Sequence, residues 1–276
     1  MILRYGPGED HVADLRLPVS HRSGQPGGRG VPLVLFLHGG FWRTAYDRAH
    51  TGPLAAALAA DGFAVCTPEF RRTGQPDGGW PGTFDDIAAA VDVLPGLAEA
   101  AAGGLIDPGR VLVAGHSAGG HLALWAAARH RLPASAPWHA AAGSFAGVVA
   151  LAAVSDLVSC YQLRLGNGAV AELLGGSPAA LPDRYALADP VVLMPGGTQV
   201  RLVHGSADDV VPCQMSIDYA ARARNVGDDV TCTALSGAGH FEVIDPLSDA
   251  WPHVVAAFRA LSASEGPAAA ASGPSC

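Results

Sequence analysis

The chain has 276 residues, 49% of them hydrophobic, and a formal net charge of −8; that length and apolar content suffice for a large core without disulfide or metal staples. All 17 basic residues are arginine, and without a lysine amine no Schiff-base enzyme, Walker-type phosphate loop or Ser-Lys hydrolase can be assembled. The acidic balance and the lack of any basic run also exclude the electrostatic footprint of a nucleic-acid binder, which leaves small molecules as the expected partners.

In chain order, residues 1–10 carry charges and glycines where a secretory signal would need an apolar core, and no apolar stretch reaches the roughly 18 residues of a membrane span. A cytoplasmic protein with no membrane partner is the expectation. A strand over 11–17 and a loop over 18–30 rich in Gly, Pro and Ser precede the body. Strand-length apolar runs then alternate with Ala-rich helical segments: strand 33–37 and helix 48–60, strand 63–67 and helix 83–102, strand 111–114 and helix 118–130. Further strands are predicted over 148–154, 200–203 and 230–235, with helices over 215–224 and 251–261. Apolar strands without polar alternation, separated by helices, predict α/β architecture: a mostly parallel central sheet flanked by helices.

Residues 155–197 break this rhythm and read as a small lid inserted over the carboxyl edge of the sheet. A single domain over 1–261 and a disordered tail over 262–276, made mainly of Ala, Gly, Pro and Ser, complete the predicted organisation. The five cysteines are scattered without CxxC spacing, so neither a zinc site nor a disulfide framework is indicated.

The sharpest chemical signal is Gly115-His116-Ser117-Ala118-Gly119, a G-x-S-x-G motif between an apolar strand and a helix-forming run. A nucleophilic serine needs such a tight strand-to-helix turn to project its hydroxyl from the sheet, and the following helix aims its amides at developing negative charge. The second signal is His38-Gly39-Gly40-Phe41-Trp42, directly after the strand over 33–37. Adjacent glycines there let backbone amides point at a substrate oxygen, so the amides of Gly40, Phe41 and Ala118 are assigned to an oxyanion hole.

A hydroxyl at its ordinary pKa is a poor nucleophile, so a general base is needed, with a carboxylate to orient it. Among eleven histidines, His240 is the best placed, in a Gly-rich turn beyond the strand over 230–235. His38 and His116 belong to the motif turns, His121 sits one helical turn beyond Ser117, and His204 ends a strand; all four read as scaffold. The carboxylate must precede the base in this arrangement, and Asp208 and Asp209 both satisfy the spacing. Trp42, Trp80 and Phe84 form either the wall of an apolar substrate pocket or ordinary core. Glu69 with Arg71 and Arg72 reads as a structural charge pair.

Four motifs in this order resemble the α/β-hydrolase superfamily, and within it the HGGxW group of kynurenine-formamidase-like enzymes and small carboxylesterases. The anchors are His38 to Trp42, Gly115 to His121, His204 to Asp208 with Val211-Pro212, and Gly239 to Glu242. The resemblance implies an α/β-hydrolase fold from about residue 31 to 261, selects Asp208 over Asp209 through its D-x-x-V-P stretch, and completes a triad of Ser117, His240 and Asp208. Many relatives have a third glycine where this chain has Phe41, and the bulkier residue implies short acyl groups. The expected reaction is acyl transfer to water with no metal or organic cofactor. Its substrate is a small carboxylic ester or, alternatively, an aryl formamide such as N-formylkynurenine. An acyltransferase and a non-catalytic hydrolase-like binding protein are the rival readings, and the oligomeric state is left open.

Overall fold

The computed structural model describes residues 1–18, 30–143 and 145–263. Eight strands form one sheet: β1 (Ile2–Arg4), β2 (Val12–Arg16), β3 (Val31–Leu37), β4 (Ala64–Pro68), β5 (Ile106–His116), β6 (Gly147–Leu151), β7 (Val200–Gly205) and β8 (Val230–Leu235). Their order is β1-β2-β4-β3-β5-β6-β7-β8. β1 and β2 enter antiparallel, and every pairing from β4 to β8 is parallel.

Every residue of β3, VPLVLFL, is buried, because a parallel strand is covered on both faces. Successive side chains alternate between faces. Leu33, Leu35 and Leu37 pack with Trp42, Phe84 and Trp125 on one side, while Val34 and Phe36 pack with Leu54, Leu58 and Phe258 on the other. Each such side chain removed from water contributes about 2 kcal/mol. The first face is covered by α2 (Gly82–Ala101), α3 (Ala118–Ala127) and α7 (Cys213–Asn225), and the second by α1 (Gly52–Ala60) and α8 (Trp251–Ala263).

Several boundaries differ from the sequence expectation. The helix expected over 48–60 opens with a 3-10 turn, Arg48–Thr51, before α1. Strand β6 stops at Leu151, ahead of Ala152 at φ 45°. The short β1 carries too few residues to show a period. The last helix runs to Ala263, two residues into the expected tail; the remainder of that tail, 264–276, lies outside the described residues, as do residues 19–29 of the expected loop.

The segment over 155–197 folds into α4 (Leu157–Gln162), α5 (Ala169–Leu174) and α6 (Pro182–Ala188). Helices of six or seven residues do not hold themselves in water, and tertiary bonds fix these. The Asp156 carboxylate caps α4 by accepting from the Ser159 amide at 2.7 Å. Asp189 accepts the Leu157 and Val158 amides at 3.0 and 3.3 Å. From α3, Trp125 Nε1 donates to the Leu187 carbonyl at 2.9 Å. Arg43, just after the HGGFW turn, makes two 2.7 Å bonds to Glu172 on α5. The segment is thereby seated beside the motif loops. Among the described residues no helix is long and apolar enough to cross a membrane.

Candidate active site

The carboxyl ends of the parallel strands gather the motif residues. His38 follows β3, Ser117 follows β5, Asp208 follows β7 and His240 follows β8. Register aligns these ends: Leu37 pairs with Gly115, His116 with Leu151, and Gly205 with Leu235.

Ser117 stands at φ 55°, ψ −119°, a conformation that costs a side-chain-bearing residue about 1–3 kcal/mol and persists only where its surroundings impose it. Close backbone approach imposes it here. A Cβ on Gly115 would collide with the Gly119 carbonyl, and one on Gly119 with the Leu37 carbonyl, so the turn packs against β3 only because both positions are glycine. The Ser117 amide donates to the Leu151 carbonyl at 2.8 Å.

The HGGFW turn is built from three consecutive left-handed residues, Gly40 at φ 108°, Phe41 at 51° and Trp42 at 56°. The Arg43 amide donates to the Gly40 carbonyl at 3.0 Å and the Thr73 amide to the Trp42 carbonyl at 2.7 Å. Trp42 is buried, and its Nε1 donates to His121 Nδ1 at 3.2 Å. His38 anchors the other end: its Nε2 meets Glu69 Oε1 at 2.9 Å, and its ring stacks on Phe70 with centroids 4.4 Å apart. Held in this way, the amides of Gly40, Phe41 and Ala118 take no backbone acceptor among the described residues.

His240 Nδ1 donates to Asp208 Oδ2 at 2.6 Å, which leaves the Nε2 lone pair available. The carbonyl of His240 accepts from His116 Nε2 at 2.9 Å, and the two rings lie 4.5 Å apart. His116 is the residue before Ser117, so this bond ties the His240 loop to the serine turn. Among the described residues no hydrogen bond joins Ser117 Oγ directly to His240; such contacts commonly tighten only with substrate in place. Burial alone pushes the Asp208 carboxyl up. Hydrogen bonds from His204, His240 and the Val211 amide outweigh it and hold the group well below the usual carboxylate range.

Asp209, the other carboxylate the spacing allowed, is exposed. Trp42 and Phe84 are sealed in the core, and Trp80 packs edge-on against Phe84 and Trp138 with centroids 5.2 and 4.9 Å away. Of the two readings left open for these rings, the structure places Trp42 and Phe84 in the core. The expected charge cluster after β4 is rearranged: Glu69 pairs with Arg72 at 3.3 Å, whereas Arg71 pairs with Asp86 at 2.6 Å. Two side chains set aside as scaffold take part in the site's own hydrogen bonding, Glu69 on His38 and His204 on Asp208. Their signal in the sequence is position alone, each close to the carboxyl end of a buried strand. Among the described residues no cluster of three or more His, Cys, Asp or Glu side chains is arranged to hold a metal ion.

A mostly parallel sheet covered on both faces, with its serine turn after a central strand and an acid and a histidine after two later ones, defines an α/β-hydrolase. Residues 23–222 match the BD-FAE family, and the chain belongs to that family. A probable carboxylic ester hydrolase of Mycobacterium tuberculosis, LipM, is 26% identical over 204 residues, covering 71% of this chain and 46% of its own. The isoprenylcysteine alpha-carbonyl methylesterase of Arabidopsis thaliana is 27% identical over 263 residues, covering 88% of this chain and 57% of its own. The chain thus spans about half the length of the curated relatives it matches. Among solved structures, a truncated carbohydrate esterase from gut microbiota superimposes with a TM-score of 0.77 at 22% identity, covering 95% of both chains. Esterase 2 of Thermogutta terrifontis, with butyrate bound, gives 0.70 at 18% identity, covering 94% of this chain and 91% of its own. At these identities the structural likeness concerns the fold.

Proposed function

We propose that this protein hydrolyses carboxylic esters of small substrates through an acyl-enzyme on Ser117. The observation that carries this reading is the 2.6 Å bond from His240 Nδ1 to a sealed, ionised Asp208, beside a serine held in a strained strand-to-helix turn. His240 takes the Ser117 proton on Nε2 as the hydroxyl attacks the ester carbonyl carbon. The Asp208 carboxylate stabilises the imidazolium that results. The amides of Gly40, Phe41 and Ala118 receive the developing oxyanion, with the N-terminus of α3 adding its dipole. His240 then returns the proton to the departing alkoxide, and water, activated by the same imidazole, releases the acid. The names of the relatives, esterases acting on carboxylic esters, support the substrate class.

Phe41, a bulky residue in the turn assigned to the oxyanion hole, supports a preference for short acyl groups; its ring lies against Gly166, where a Cβ would come within 2.7 Å of it. Steady-state hydrolysis of p-nitrophenyl acetate, p-nitrophenyl octanoate and N-formylkynurenine by wild type and Ser117→Ala tests the reading. Acetate is expected to be the best of the three, and Ser117→Ala to lose at least about 10^3-fold in kcat. Equal turnover by the two proteins, or strong preference for the formamide, would overturn it.

A further inference from the structure

Asp208 serves two imidazoles. Its Oδ2 accepts His240 Nδ1 at 2.6 Å and also His204 Nε2 at 3.0 Å, while its Oδ1 accepts the Val210 and Val211 amides at 2.8 Å each. His204 Nε2 faces a second acceptor, the Val211 carbonyl, at 2.9 Å, so that nitrogen carries a proton. The remaining nitrogen, Nδ1, meets the Ser216 hydroxyl of α7 at 2.8 Å. His204 and Ser216 are fully buried, and the Asp208 side chain is sealed from solvent.

We infer that His204 is a positioning residue for the reaction proposed above, acting through Asp208 to fix the direction and strength of the Asp208–His240 bond. The inference rests on that reading of Ser117, Asp208 and His240. Both ring nitrogens of His204 are occupied, so it cannot itself act as base toward Ser117. Its place is behind the carboxylate, in a line running from Ser216 through His204 and Asp208 to His240. Two consequences follow from that position. With four donors on two oxygens, Asp208 has no lone pair left for a proton and remains an acceptor throughout the cycle. By holding the same Oδ2 that His240 uses, His204 also keeps the carboxylate from turning about its own bond, so His240 Nδ1–H finds its acceptor in one place. Ser216 does the same for the His204 ring, which makes α7 part of the frame that orients the base.

The test compares His204→Phe, His204→Gln and Ser216→Ala with wild type and Ser117→Ala. Two quantities are read: kcat and KM on p-nitrophenyl acetate, and the low-field proton resonance of the His240–Asp208 hydrogen bond in the free protein. Loss of a buried, charge-assisted bond in His204→Phe is expected to lower kcat about 10-fold or more with KM nearly unchanged, and to move the resonance. His204→Gln, whose amide N–H can reach the place of Nε2–H, is expected to recover most of kcat and the wild-type resonance. Ser216→Ala is expected to move both in the same direction as His204→Phe but less. A folded His204→Phe with wild-type kcat and an unmoved resonance overturns the inference, as does His204→Gln behaving like His204→Phe. Should His204→Phe fail to fold, Ser216→Ala decides alone, and unchanged kcat and resonance overturn the inference. Failure of the esterase reading shows separately, as Ser117→Ala turning over ester like wild type, and the resonance shift needs no substrate.

Discussion

At the scale of single residues, the serine turn sets function against stability. Ser117 holds φ 55° with ψ −119°, a region open to glycine and costly to any residue with a Cβ. Ser117→Gly is therefore expected to raise stability by about 1 kcal/mol in urea unfolding while abolishing ester hydrolysis; a loss of stability would contradict the strain. The residues of this turn were legible in the sequence because G-x-S-x-G between a strand and a helix states a backbone geometry as well as a chemistry. Asp208 was less legible. Its neighbour Asp209 has the same side chain one position away, and what separates them is that Asp208 accepts the Val210 and Val211 amides while Asp209 faces solvent. The bond from His204 to Asp208 was not legible at all, since it depends on how the loop over 206–212 folds back on β7.

At the scale of elements, α3 links three parts of the site. It begins directly after Ser117, and its His121 accepts from Trp42 in the HGGFW turn and donates through Nε2 to the Ala188 carbonyl at the end of α6. Burial pushes the His121 imidazole down to about 4, so it stays neutral and can play both parts. Removing this ring leaves a buried indole N–H and a carbonyl unpaired and opens a cavity. His121→Ala is expected to cost about 2–4 kcal/mol in chemical unfolding and to lower esterase kcat by loosening the left-handed turn. Unchanged stability would show that the turn is held from elsewhere. The central parallel strands were legible as continuous apolar runs, as β3 and β6 illustrate. The segment over 155–197 was not, because α4, α5 and α6 are too short to display a helical period and owe their place to bonds from Asp189, Trp125 and Arg43.

At the scale of the whole molecule, buried histidines tie stability to pH. Burial pushes His116 down to about 3 and His121 to about 4, from the ordinary histidine value of 6.5. The unfolded chain therefore takes up these protons first, and stability present above pH 6.5 is lost as the pH falls from there toward the folded values. Asp189 works in the opposite sense: burial, with Asp156 nearby, pushes it from 3.8 up to about 7, so its contribution is fully present below 3.8 and is lost as the pH rises from there to about 7. His50 is likewise pushed down by burial, so three imidazoles act against one carboxyl and stability is expected to fall as the pH drops from 6.5 toward 4. Urea midpoints across that range check this, and a flat profile would contradict it. All these groups lie around a sheet whose carboxyl edge carries Ser117, Asp208 and His240, and the proposed reaction stands or falls with Ser117 as the nucleophile. Labelling the folded protein with a fluorophosphonate and mapping the adduct by peptide mass spectrometry tests it most directly. One adduct is expected, on Ser117, strongly slowed in His240→Ala; a folded protein that takes no label, or takes it on another residue, would show that Ser117 is not the nucleophile.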